Sequence, residues 1–279
     1  MPLIEGLRQP IPRRKLAKGE ALPDFAKASD PANANADMWE GVPDPRNPAR
    51  IVLKNINRAG VGDGHATMTT GRELPKGSTS HVTTGFLYLL PADLKQTGRN
   101  LILQLQMKGS PIVAISTLNG NWTVVDRING TMSRKTLGPI AWGKWTYFDV
   151  AVKLADSGGF VKVWWAVDRL PELALAPVLS KSGDTWQGET GHHTIGQYSG
   201  HSDPDGEYTG YVDVFGRGTT AQEARAKAGP IAPASTPEPT PDPDPDPDPE
   251  PEPEPEPEPT GPTQAEARAA LEVLRRYVG

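Results

Sequence analysis

Between residues 50 and 214 apolar residues come in short runs of β-type composition, separated by Gly, Asn, Asp and Pro, and no stretch keeps a long helical period. The runs predict ten strands, at 50–56, 66–70, 81–90, 100–108, 112–118, 121–127, 145–153, 159–167, 192–199 and 206–214. Two of them alternate cleanly. Phe148, Val150 and Val152 are interleaved with Asp149, Ala151 and Lys153, and Val161, Val163 and Trp165 with Lys162 and Trp164, so each run has one apolar face. The intervening Asp156-Ser157-Gly158-Gly159 predicts a hairpin turn, because glycine supplies positive φ without steric cost. A short helix is expected at 220–227, with a hydroxyl cap before it and a glycine after it. The pattern as a whole predicts an all-β jelly-roll sandwich of two antiparallel sheets.

The flanks read differently. Residues 1–35 hold five prolines among basic residues and keep neither period, which predicts an extended arm. Between Pro237 and Pro259 proline alternates almost without exception with Asp or Glu. Proline fixes φ in the polyproline II region and like charges repel, so this stretch predicts a stiff spacer reaching about 70 Å. Beyond it, Thr263-Gln264-Ala265-Glu266 has capping-box spacing, and Ala267, Ala270, Leu271, Leu274, Tyr277 and Val278 form one apolar stripe. A single helix of this length is marginal in water, so the stripe is expected to bury itself against another chain or a copy of itself. The expected organisation is an arm at 1–35, a sandwich domain at 36–228, an acidic Pro-rich linker at 229–262 and an amphipathic helix at 263–279.

Charge and composition narrow the function classes. The chain has a formal net charge of −5, but removing the ten carboxylates of the proline tract turns it to +5. A mildly basic body suits an anionic polymer. The absence of cysteine excludes disulfides, thiolate nucleophiles and Cys-ligated zinc. The N-terminus has prolines and charges where a signal peptide needs a continuous apolar stretch, and no run is long enough for a transmembrane helix; a role outside a cell would require another exit route, such as release of assembled particles at lysis. No hydrolase elbow, phosphate loop, zinc spacing or nucleic-acid motif is present. His201 to Glu207 has oxygen ligands but not the full calcium-loop signature, and reads as a turn. No metal, cofactor, nucleic acid or membrane is expected.

Six blocks carry a family resemblance: the segment from Met38 to Gly60, Gly71-Arg72-Glu73-Leu74-Pro75-Lys76-Gly77, the segment from Asn100 to Ser116, the segment from Leu137 to Asp168, the segment from His192 to Gly200, and Gly206 to Gly216. In this order they resemble the heparin-lyase-like and glucuronan-lyase-like polysaccharide lyases. The resemblance implies a concanavalin-like jelly roll whose concave sheet grips an acidic polysaccharide. It also implies a Gln-x-His block and a Tyr-x-Lys-x-Gly block, which neutralise the uronate, remove its proton and protonate the leaving oxygen. Here the first block is Gln104-Leu105-Gln106, with an amide where the family has histidine, and an amide cannot act as a base. In the second, His192 stands for the tyrosine and Thr194 for the lysine.

The expected ligand contacts are therefore Arg72, Gln104, Gln106, His192, Tyr198 and Trp165, with Trp122 and Trp186 as further stacking candidates, and with no catalytic residue. If the site is active, His192 is the base and Tyr198 the acid. The arm, spacer and terminal helix resemble the organisation of minor tail or fibre-type proteins of bacteriophages that infect actinobacteria. The expected function is a homo-oligomeric virion tail protein that binds host cell-wall polysaccharide without cleaving it and contacts other tail proteins through its arm or helix. An active lyase or depolymerase, and a purely architectural tail or capsid decoration protein, are the alternatives.

Overall fold

The computed structural model describes residues 27–28, 39–58, 65–69, 74–90, 100–107, 110–199, 207–228 and 268. The chain divides into two compact units, Met1–Thr236 and Pro237–Gly279. In the second only Arg268 is described, as exposed and helical. The expected acidic spacer, nearly all of the terminal helix and most of the arm lie outside the described residues.

The first unit is a jelly-roll sandwich of two antiparallel seven-stranded sheets. The first sheet runs, in spatial order, β1 (Lys27–Ala28), β4 (His65–Thr69), β13 (His192–Ser199), β6 (Asn100–Met107), β7 (Ser110–Leu118), β8 (Asn121–Ile128) and β9 (Thr131–Pro139). The second runs β12 (Leu179–Gly183), β11 (Gly159–Val167), β10 (Thr146–Lys153), β5 (Thr79–Leu87), β14 (Glu207–Gly218), β3 (Asn47–Arg58) and β2 (Trp39–Asp44).

All ten expected strands form. The four strands that the apolar pattern did not predict, β1, β2, β9 and β12, are the four sheet edges. An edge strand is half-uncovered, so its sequence need not alternate, and charges and proline are favoured there; β9 is exposed on most of its length and carries Arg134 and Lys135. Part of the expected arm is thus a strand, with Lys27 opposite Thr69 and Ala28 opposite Met68 at the edge of the first sheet. Two tight turns join β7, β8 and β9. Asn119-Gly120 and Asn129-Gly130 both have positive φ at both positions, the conformation a two-residue hairpin demands.

Phe148, Val150 and Val152 point into the core as their alternation required, with Val161 and Val163 beside them. Trp122 is fully buried at the centre, edge-on to Phe148 at 5.1 Å and tilted against Phe86 and Tyr88. Trp165 stacks on Phe148, with ring centroids 6.3 Å apart, and also lies over Gly138 of β9. Both were candidates for stacking sugar; both are held between the sheets.

The outer side of the second sheet is roofed in part by helix α1 (Ala221–Ala228). Thr220 caps it, its hydroxyl accepting from the Glu223 amide at 3.2 Å. Gly216 and Gly218 of β14 leave the room in which Ala224 and Ala228 sit. Arg225 then reaches Asp149 at 2.6 Å, and Thr83 donates to the same carboxylate. Further along this side, Arg50 pairs with Asp213, which also accepts from the Tyr147 hydroxyl at 2.9 Å. Burial, with the Asp213 charge beside it, pushes the Tyr147 phenol far up, so it stays a donor.

Candidate functional site

The registers of β13, β6, β7, β8 and β9 sort their side chains onto two faces, because residues paired across an antiparallel sheet share a side. Leu103, Leu105, Val113, Ile115, Val124 and Ile195 face the core. On the other face Leu101, Ala114 and Val125 form a small apolar cluster of their own. Three rows follow on this outward face. In the first, His192 lies opposite Gln106 and Gln106 opposite Pro111, while Arg127 lies opposite Met132. The second runs Thr194, Gln104, Ala114, Val125, Arg134. The third runs Leu101, Ser116, Thr123, Thr136, with the Ser116 and Thr123 hydroxyls 2.6 Å apart.

Solvent reaches these rows unequally. Leu101, Gln104, Ala114 and Val125 are 1–2% exposed, and Ser116 and Thr123 are equally closed. His192, Gln106, Pro111 and Arg127 are half-buried, and Met132 is exposed, as are Arg134 and Thr136 at the β9 edge. The surface open to a ligand is therefore the first row together with the β9 column, not the middle of the sheet.

The chemistry of this surface is amide, imidazole, hydroxyl and guanidinium. Gln106 donates from Nε2 to Gln104 Oε1 at 2.8 Å, so Gln104 acts as a support beneath Gln106. Arg127 keeps its Nε out of solvent without a hydrogen-bond partner among the described residues. The five strands contain one carboxylate, Asp126, and it faces inward, gripped by Lys181 at 2.9 Å and by Ser133 at 2.7 Å. A glycosidase needs a pair of carboxylates flanking the scissile bond. These strands offer none to the outward face. Among the described residues no group of three or more His, Cys, Asp or Glu comes together that could hold a metal ion.

The two adjacent histidines separate by the alternation of the strand. His193 points inward, 2.9 Å from the Ser80 hydroxyl of the opposite sheet. Burial first, then the charges of Arg217 and His192, push its pKa down to about 3. It is a neutral core residue at the closed seam formed with Val82, Leu103, Leu105 and Val113. His192 shares the outward face with Gln106.

Of the sequence-derived contacts, Gln106 and His192 come together on open surface. Gln104 adjoins them but is closed to solvent, which corrects its expected ligand contact. Tyr198 pairs through its backbone with Leu101 and His65. Trp165 is partly buried and packs against the core, and Arg72 lies outside the described residues. Arg127 and Arg134 were not anticipated. For Arg134 the signal was Asn129-Gly130, a hairpin turn that creates β9 and pairs Arg134 with Val125 on the same face, while Arg127 lies within the expected strand 121–127.

No protein-family model matches the sequence, and no curated protein matches it either. Solved structures of similar fold include an alginate lyase from Klebsiella pneumoniae, with a TM-score of 0.45 and 9% identity over 67% of this chain and 86% of that one. Another is the catalytic domain of a glycoside hydrolase family 131 protein from Coprinopsis cinerea, at 0.45 and 15% over 68% and 80%. A third is the cellulose-induced protein Cip1, at 0.45 and 10% over 76% and 91%. At these identities the likeness is one of fold.

Proposed function

We propose that the protein binds an anionic cell-surface polysaccharide on the outward face of the first sheet and does not cleave it. The observation that carries this reading is the makeup of the open surface, with Arg127, Arg134, Gln106 and His192 present and no outward carboxylate on the strands that form it. Guanidinium groups pair with carboxylate or sulfate in fixed geometry, and amide and imidazole groups hydrogen-bond sugar hydroxyls. The face lacks an aromatic platform among its described side chains, so recognition there is polar. The likeness of the sequence blocks to heparin-lyase-like and glucuronan-lyase-like enzymes supports the same ligand class. Gln106, where those enzymes carry histidine, supports binding without turnover. The arm, spacer and terminal helix support a place in a bacteriophage tail, where such a domain would hold host polysaccharide during adsorption.

A second reading has one observation in its favour. His192 lies directly across from Gln106, so an imidazole sits one strand away from the position where the lyases carry theirs. In that reading His192 takes the proton next to the uronate carboxylate.

The test is retention of the whole chain on actinobacterial cell-wall polysaccharide and on polyuronates, with absorbance of unsaturated sugar ends followed in parallel. Retention without new ends is expected. Arg134→Glu should weaken it about tenfold, the scale of one charge-assisted contact. New ends that vanish in His192→Ala would establish the lyase instead, and absence of both signals would leave an architectural role.

A further inference from the structure

The opposite side of the molecule carries a different surface. On β11, Val161 and Val163 enter the core and Trp165 packs against it, so Phe160, Lys162 and Trp164 face outward from the second sheet. All three are half-buried. Lys162 Nζ lies 5.3 Å from the Phe160 ring centroid. The Trp164 indole is fixed by its Nε1, which donates to the Leu175 carbonyl at 3.0 Å. Register puts Ser182 beside Phe160 and Ser180 beside Lys162 on the edge strand β12, and both serines are exposed. On the other flank Lys153 lies opposite Phe160, and Ala151 opposite Lys162. Small residues thus flank Lys162, Ser182 flanks Phe160, and the two aromatic residues stand about 13 Å apart as residues i and i+4 of one strand.

The charges favour an anion. Lys153 and Lys162 are the strip's own ionic groups, while Asp149, opposite Trp164, is buried and already held by Arg225 and Thr83.

We propose that this strip is a second saccharide site, separate from the first face and independent of it. Sugar rings stack their apolar faces on Phe160 and Trp164, Ser180 and Ser182 bond sugar hydroxyls, and Lys153 and Lys162 pair with carboxylate or sulfate groups. With two sites on opposite sides, one molecule bridges two polymer chains, and binding to a polymer gains by avidity.

Polygalacturonate serves as the probe, with the full chain, Lys162→Glu, Trp164→Ala, Arg134→Glu and the Arg134→Glu/Lys162→Glu pair. Far-ultraviolet circular dichroism checks folding; Lys162→Glu changes only an outward side chain and keeps the test valid if Trp164→Ala unfolds. The wild type is expected to cross-link the polymer into a turbid network. Each single-site variant should lose the turbidity and about tenfold in retention, and the double variant should lose retention altogether. Wild-type turbidity and retention in Lys162→Glu would overturn the strip, as would complete loss in Arg134→Glu alone. Complete loss in Lys162→Glu with no effect of Arg134→Glu would keep the strip and sink the first face. A concentration-dependent dimer that Trp164→Ala dissolves would assign the strip to self-association, and a wild type that ignores the probe would overturn both sites.

Discussion

Burial decides what each of the paired histidines does. His193 is closed off from water and bonded to Ser80, while His192 keeps part of its surface and lines the open row with Gln106. The folded-state pKa of His193, about 3, lies below the ordinary 6.5. The unfolded chain therefore takes up a proton on this residue that the fold refuses. Its contribution to stability is complete above about pH 6.5 and is lost as pH falls from there toward 3. The loss over that window is on the order of a few kcal/mol. Urea denaturation of the wild type and His193→Gln at pH 7 and pH 4 checks this: the wild type should lose more stability between the two, and equal losses would remove His193 from the account. Strand alternation made it legible that only one of the two histidines could face a ligand. It also grouped Trp165 with Val161 and Val163, the side the core took. Depth was not legible. Gln104 and Gln106 share a face and a spacing, yet only Gln106 reaches solvent, because alternation fixes the side of a sheet a residue faces and not how deeply that side is covered.

At the scale of elements, helix α1 and strand β14 fit because two glycines meet two alanines. A Cβ on Gly216 would run into the Ala224 carbonyl and the Ala228 amide, backbone atoms that cannot move without shifting the helix. Gly216→Ala should cost about 1–3 kcal/mol, as overpacking of a filled contact does. Thr220→Ala, which removes only the cap, should cost about 1 kcal/mol. Thermal melts rank the two, and a Gly216→Ala protein as stable as wild type would show that the helix docks more loosely than this contact requires. The helix was visible in advance through its cap and its glycine stop. The ten strands that could be read share a property: each has neighbours on both sides, and those whose side chains are described bury at least one face, which forces apolar alternation into their sequences. The four edges lack that constraint. β9 illustrates the consequence for function, since missing it removed Arg134 from the expected site, although Asn129-Gly130 announced the hairpin through turn chemistry rather than hydrophobicity.

At the scale of the whole molecule, the sequence holds two opposing charge populations. Ten carboxylates between Glu238 and Glu258 turn a body of formal charge +5 into a chain of −5. Association with a polyanion responds to that sum through the long-range field, whatever the path of the acidic tract, and the field extends about 30 Å at 0.01 M salt but only about 3 Å at 1 M. Replacing the ten carboxylates by Asn and Gln keeps every proline and the terminal helix while reversing the sign of the net charge. Retention on polygalacturonate should then rise at low salt, on the order of tenfold, and the gain should shrink as salt increases. This outcome would mean that the tract tempers the affinity of the binding body for anionic surfaces and leaves the local contacts of Arg127 and Arg134 to decide specificity. A loss of retention would mean instead that the carboxylates themselves take part in binding, which two polyanions achieve only through a bridging divalent cation, and added chelator would then abolish the retention of the wild type.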